Sequence, residues 1–224
     1  MSSAVVLELA VRVSRRELLR ALGYPRSREP APRIAERIEA LEGHASAFVD
    51  GRGGYRLVAR PTAEAAGMPE PSAEVGLGLC TIGPRLEAEA QRLGDAGDAL
   101  AALILDAYGS VAAEAAADEL DRALCGAAAE QGLIPARRIS PGYGRWALDG
   151  QRALLLALPA RELGVELSAG MMMTPRKSVS FATRLTPAAA GLGEAPRGRR
   201  CAACTLDPCP YRIEDDNLEE EDDD

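Results

Sequence analysis

Arg138-Ile139-Ser140-Pro141-Gly142-Tyr143 packs a cation, a tight backbone turn and an aromatic ring into six residues. Arginine can hold a carboxylate through two parallel hydrogen bonds, glycine lets a backbone approach closely, and tyrosine offers a ring face with a hydroxyl. Such a segment either holds a small polar ligand or is an ordinary surface turn. Its surroundings are helical upstream. Asp98 is placed to cap an alanine-rich pattern running to about Glu130, with Leu100, Leu103, Ile104, Ala107, Val111, Ala115 and Leu124 marking one face. Downstream, Asp149 to Ala157 reads as a helix. Ser178 to Leu185, where Val179, Phe181 and Thr183 alternate, reads as a strand.

Further out, Val5, Leu7, Leu9, Val11 and Val13 alternate with Glu8, Ala10 and Arg12, the period of a half-buried strand. Ser14 with Glu17 forms a capping-box pattern that opens a short helix, Arg15 to Leu22, stopped at Gly23. Pro30 and Pro32 open a second helix through Ile34, Ile38 and Leu41, with Gly43 as its expected end. The turn Gly51-Arg52-Gly53-Gly54 leads into a strand at Tyr55 to Ala59. Arg60 to Ser72, with Pro61, Pro69 and Pro71, reads as loop. Gly76 to Ile82 reads as a strand ending at Gly83-Pro84, where proline suits a first helical turn. Strands and helices intersperse without a strict βαβ repeat, so the expected class is α+β, a mixed or antiparallel sheet with long helices.

Residues 1–186 are expected to form one body, which 224 residues at 47% hydrophobic composition can support. Residues 187–200, rich in Gly, Ala and Pro, read as a flexible linker, 201–212 as a cysteine motif, and 213–224 as a disordered acidic tail. The net charge of -8 is a property of that tail, because Glu214 to Asp224 contributes nine acidic side chains and no basic one. The rest is close to neutral and offers no basic surface to polyanions, so neither nucleic acid nor membrane is an expected partner. The N-terminus lacks the basic-then-apolar layout of a secretion signal, and no eighteen-residue run is uninterruptedly apolar. A cytoplasmic setting with reduced thiols is therefore expected.

Taken together, the segments resemble the S-adenosylmethionine-binding reactivation domain of cobalamin-dependent methionine synthase. Arg-x-x-Pro-Gly-Tyr at 138–143 is similar to that family's Arg-Pro-Ala-Pro-Gly-Tyr loop, and Ser110-Val111-Ala112-Ala113-Glu114-Ala115 is similar to its Leu-Ala-Glu-Ala helix. Gly164-Val165-Glu166-Leu167 and Met173-Thr174-Pro175-Arg176-Lys177-Ser178-Val179-Ser180 resemble its Gly-x-x-Leu and Met-x-Pro-x-x-Ser-Val-Ser segments, in the same order. The resemblance implies that Glu114, Arg138, Gly142 and Tyr143 lie at an S-adenosylmethionine site, with Arg138 suited to the ligand's carboxylate and Glu114 to its ammonium. It departs after the tyrosine, where Gly144-Arg145-Trp146 follow. The chain is too short for the homocysteine, folate and cobalamin modules, so the cobalamin is expected on a separately encoded corrinoid or methionine synthase protein, with a separate electron donor.

Cys201, Cys204 and Cys209, spaced C-x2-C-x4-C, are candidate metal ligands for an iron-sulfur cluster or zinc, and reduced thiols without metal are the alternative. Cys80, Cys125, a partner's thiolate or an exogenous ligand could supply a fourth ligand. Met171-Met172-Met173 reads as gap-filling core in preference to a soft-metal or corrinoid contact. His44 reads as a satisfied or solvent-facing residue rather than a cobalt ligand. Two other functions stay open. One is a non-catalytic binding or regulatory protein of this fold with a zinc or redox cysteine clip. The other is an S-adenosylmethionine methyltransferase on another substrate, although the Gly-rich strand-to-helix loop usual for Rossmann-type methyltransferases is missing, Gly76 to Gly83 being a poor substitute.

Overall fold

Asp98 accepts a hydrogen bond from the Ala101 N–H at 3.0 Å and starts α5, Ala99–Ala129, the 31-residue helix around which the chain is arranged. The structure, a computed structural model, describes residues 3–25 and 27–188. In chain order the other elements are β1 (Val5–Glu8), α1 (Arg15–Ala21), α2 (Pro32–Ser46), β2 (Arg52–Ala59), α3 (Arg60–Ala65), β3 (Glu74–Thr81) and α4 (Arg85–Asp95). After α5 come β4 (Leu133–Pro135), α6 (Gly150–Ala157), β5 (Glu166–Leu167), β6 (Met173–Thr174) and β7 (Ser178–Pro187). Every strand pair is antiparallel. The main sheet runs β1-β2-β3-β7-β4, and β5 pairs with β6 in a ladder of its own. The class is α+β.

Residue alternation along β3 builds both faces of the sheet. Val75, Leu77 and Leu79 point into a core shared with α3, α6 and Trp146. Cys80 and, just past the strand, Ile82 point to the opposite core under α5, α1, α2 and α4. Between Cys80 and the exposed Glu74, the residues of that second face are glycines. A Cβ at Gly76 would come within 2.5 Å of Leu124, and one at Gly78 within 2.4 Å of the Phe181 ring. Bare backbone therefore lets α5 seat Leu124 against the sheet and leaves the Phe181 ring its space. The alanines Ala112, Ala113, Ala116 and Ala117 allow the same closeness from the helix side. By length and composition α5 could cross a membrane, yet here it is the core helix, with Ile104, Leu105, Leu120 and Leu124 buried.

Several expectations are corrected. β1 ends at Glu8, so the alternating run to Val13 is strand only in its first half, and Val5 and Val6 are exposed because β1 is a sheet edge. Ser14 occupies the N-cap of α1 without a side-chain capping bond. Gly43 does not stop α2, which continues to Ser46. Arg60 to Ser72 is not all loop: Pro61 sits in the first turn of α3, which buries Ala63. Leu100 and Leu103 face outward, because the buried face of α5 is drawn by its alanines as well as its leucines. Pro187 belongs to β7, paired with Leu133, rather than to a linker. The rest of 187–200, apart from Ala188, lies outside the described residues, as do the cysteine motif and the acidic tail.

Candidate functional site

The stem of the Arg138 loop is stitched to β7 by its own backbone. Ala136 N–H donates to Arg184 O, and Ile139 and Ala182 exchange N–H···O bonds, all at 2.8 Å. Alternation then sends Ile139 to the α6 core and Arg138 to the α5 side. There the Arg138 guanidinium donates to Asp118 Oδ1 at 2.5 Å and to Glu114 Oε2 at 3.2 Å, and lies 5.5 Å from the centre of the Phe181 ring. Only 13% of the Arg138 side chain is exposed, against 49% for Glu114. Burial works against the arginine's charge, and Asp118 first, then Glu114, outweigh it and hold its pKa above the ordinary value.

Asp118 is one turn from Glu114, and the series continues toward the N-terminus of α5. Lys177 Nζ donates to Ser110 Oγ at 2.8 Å and lies 2.9 Å from Asp106 Oδ1. Asp106, Ser110, Glu114 and Asp118 thus form a polar stripe at intervals of four along the first two-thirds of α5, which is otherwise mostly apolar there. The stripe receives Lys177 at one end and Arg138 at the other. The Met173–Ser180 segment is further fixed by Lys177 N–H to Glu87 Oε1 at 2.7 Å and by Ser178 Oγ, which donates to Pro175 O at 2.7 Å and lies 2.9 Å from Thr81 Oγ1.

Beyond the stem, Pro141 is buried, and Gly142 turns the chain with φ +89°, a conformation that favours glycine. Gly142 N–H donates to Trp146 O at 2.8 Å, and Trp146 N–H returns to Tyr143 O at 3.1 Å. Trp146 is buried and donates its indole N–H to Ala66 O at 2.8 Å. This loop is therefore pinned at both ends, with Tyr143, 76% exposed, at its tip. Of the four residues named from sequence, Glu114 and Arg138 meet directly. Gly142 and Tyr143 stand on the same loop as Arg138. Sequence reasoning missed Asp118 and Trp146; the four-residue spacing after Glu114 was the available signal for Asp118.

Thr183 Oγ1 donates to Asp121 Oδ1 at 3.0 Å, one helical turn beyond Asp118. Burial raises the Asp121 carboxyl above its ordinary range, opposed by Thr183 and Arg138. The folded chain thus binds that proton more tightly than the unfolded one. Stability is then lost as pH rises from the ordinary aspartate value through the raised one. Asp121→Asn, which keeps the acceptor oxygen, is expected to raise the melting temperature at about pH 7 and to lose most of that gain near pH 4. Thermal melts at the two pH values check this, and an equal gain at both would contradict it.

Cys80 is wholly buried beneath α5, and burial pushes its thiol up to about 12. Its Sγ lies 4.0 Å from Ala113 O, on the α5 side of the sheet. Cys125 is half-buried and hydrogen-bonded with Asp121. Among the described residues no group of three or more His, Cys, Asp or Glu side chains could hold a metal ion. His44 is satisfied, 2.9 Å from Glu89 Oε1 and edge-on to Phe48. Met172 is 61% exposed, so the core reading of the three methionines fails at its middle member.

No protein-family model matches the chain, and no curated protein matches it. Among solved structures it is similar to the crystal structure of the MetH reactivation domain bound to AdoHcy, with a TM-score of 0.57 and 15% identity, over 81% of this chain and 78% of that one. The fold is that of the MetH reactivation domain. At this identity the likeness concerns architecture: a curled antiparallel sheet with long helices.

Proposed function

We propose that the chain binds S-adenosylmethionine beside the Arg138–Tyr143 loop and acts as a stand-alone reactivation subunit for a cobalamin-dependent methionine synthase or another corrinoid methyltransferase. The observation that carries this reading is the meeting of Glu114 and Arg138, 24 residues apart in sequence, at 3.2 Å beside the Gly142 turn. The similar solved structure, which holds AdoHcy, supports it. A carboxylate and a guanidinium side by side suit the two ends of an amino-acid zwitterion, ammonium on Glu114 and carboxylate on Arg138. Gly142 gives backbone access, and the exposed Tyr143 ring supplies a face for the remainder of the ligand.

The ligand supplies an electrophilic methyl group. On a partner protein, cob(II)alamin together with one electron from a separate donor would be the methyl acceptor, the carbon–sulfur bond of the ligand breaking to leave S-adenosylhomocysteine on this chain. The residues here orient the methyl donor rather than move protons. Cys201, Cys204 and Cys209, with iron-sulfur or zinc, are proposed as the electron or docking module, tested by metal and sulfide analysis of anaerobically purified protein.

Calorimetry tests the reading directly. Wild type is expected to bind S-adenosylmethionine and S-adenosylhomocysteine, and Glu114→Ala to weaken both by about tenfold or more, the worth of one charge-assisted hydrogen bond. No binding by wild type, or variants indistinguishable from it, would favour the non-catalytic regulatory alternative.

A further inference from the structure

The two carboxylates that face Arg138 are unequal partners. Asp118 lies closer, at 2.5 Å against 3.2 Å for Glu114. The arginine itself is mostly buried over Phe181, on a stem fixed to β7. An arginine so placed costs a great deal if stripped of all anionic partners, so whichever carboxylate leaves, the other must stay.

We infer that Asp118 is a positioning residue that keeps Arg138 neutralised and in place, so that an incoming zwitterion can open the weaker Glu114–Arg138 pair and insert its ammonium and carboxylate between them. This rests on the reading of the loop as an S-adenosylmethionine site. One ion pair is exchanged for two, with Asp118 unmoved. Without the Asp118 charge, Glu114 is left, among the described residues, as the one carboxylate hydrogen-bonded to the buried guanidinium, and the ligand's ammonium must compete with the guanidinium for it. The effect belongs to the amino-acid end of the ligand. An adenosyl thioether without that end does not enter the pair.

The experiment compares S-adenosylmethionine with 5′-methylthioadenosine, which lacks the amino and carboxylate groups, by calorimetry on the full chain. Asp118→Asn is expected to weaken S-adenosylmethionine about tenfold and to leave methylthioadenosine unchanged, and Asp118→Glu to recover most of the loss. Equal loss of both ligands would show general damage to the loop, and unchanged or tighter S-adenosylmethionine binding would show that Glu114 holds Arg138 alone. Either overturns the inference while the ligand reading stands. Failure of wild type to bind S-adenosylmethionine overturns both.

Discussion

Trp146→Ala is expected to destabilise the chain by about 4 kcal/mol, the range found for emptying a buried tryptophan site. The side chain is 2% exposed and packs with Ala66, Met68, Leu154 and Leu163 in the α6 core. Its indole N–H satisfies Ala66 O at 2.8 Å, a carbonyl at the end of α3 that would otherwise lose its partner. Gly150 records the tightness: a Cβ there would come within 2.3 Å of the indole nitrogen and 2.5 Å of Ala66 O. Relaxation into the cavity is correspondingly limited. For a domain of this size the loss lowers the melting temperature by roughly 10 °C. Trp146→Phe keeps six of the nine ring atoms while giving up the hydrogen bond and leaving a smaller cavity, so its loss should be about half as large, about 2 kcal/mol. Because Trp146 also closes the turn onto Gly142, ligand affinity should fall in Trp146→Ala more than in Trp146→Phe. A Trp146→Ala protein melting with wild type would refute the anchoring role.

Gly78→Ala is the second large effect, about 2 kcal/mol or more of overpacking. Its new Cβ would lie 2.4 Å from Phe181 Cζ, with two more ring atoms within 2.8 Å, in a core where the ring is fully buried. The ring cannot withdraw cheaply, since the Arg138 guanidinium lies over it. Shortening the side chain should help: Phe181→Leu alone costs stability, and in the Gly78→Ala, Phe181→Leu pair the combined loss should be smaller than the sum of the single losses. Chemical denaturation of the four proteins measures this coupling. Strict additivity would mean that the glycine is needed for something other than the ring.

Much of the fold was legible. The Asp98 cap of α5 and the Gly23 stop of α1 are local signals, β7 shows in its alternation, and β3 ends just before Gly83-Pro84 as expected. Elements that exist only because a distant surface receives them were not. β4 is three residues long and owes its pairing to the end of β7, and α3 follows directly on β2 and packs its small residues under Trp146. The misread face of α5 has the same cause. Where glycine lines the opposing sheet, alanine is enough to be core, and leucines such as Leu100 and Leu103 can stand outside it.

The site was half legible. Arg138 stood out in its Pro-Gly-Tyr loop and Glu114 was named by the family resemblance alone, and the structure brings the two together. Asp118 looked like any acidic residue on a solvated helix. Its importance depends on which face of α5 meets the loop, a fact of packing.

The polar stripe on α5 also constrains how this chain can change over generations. Lys177 and Arg138 plug into one rod about 46 Å long, at sockets two turns apart, so their spacing and angular phase are set by the rod. Inserting or deleting a single residue between Ser110 and Glu114 would swing one socket by about 100° relative to the other and unseat one of the two cations. Length can vary at either end of the helix, but its middle is locked in register, and drift there is confined to substitution.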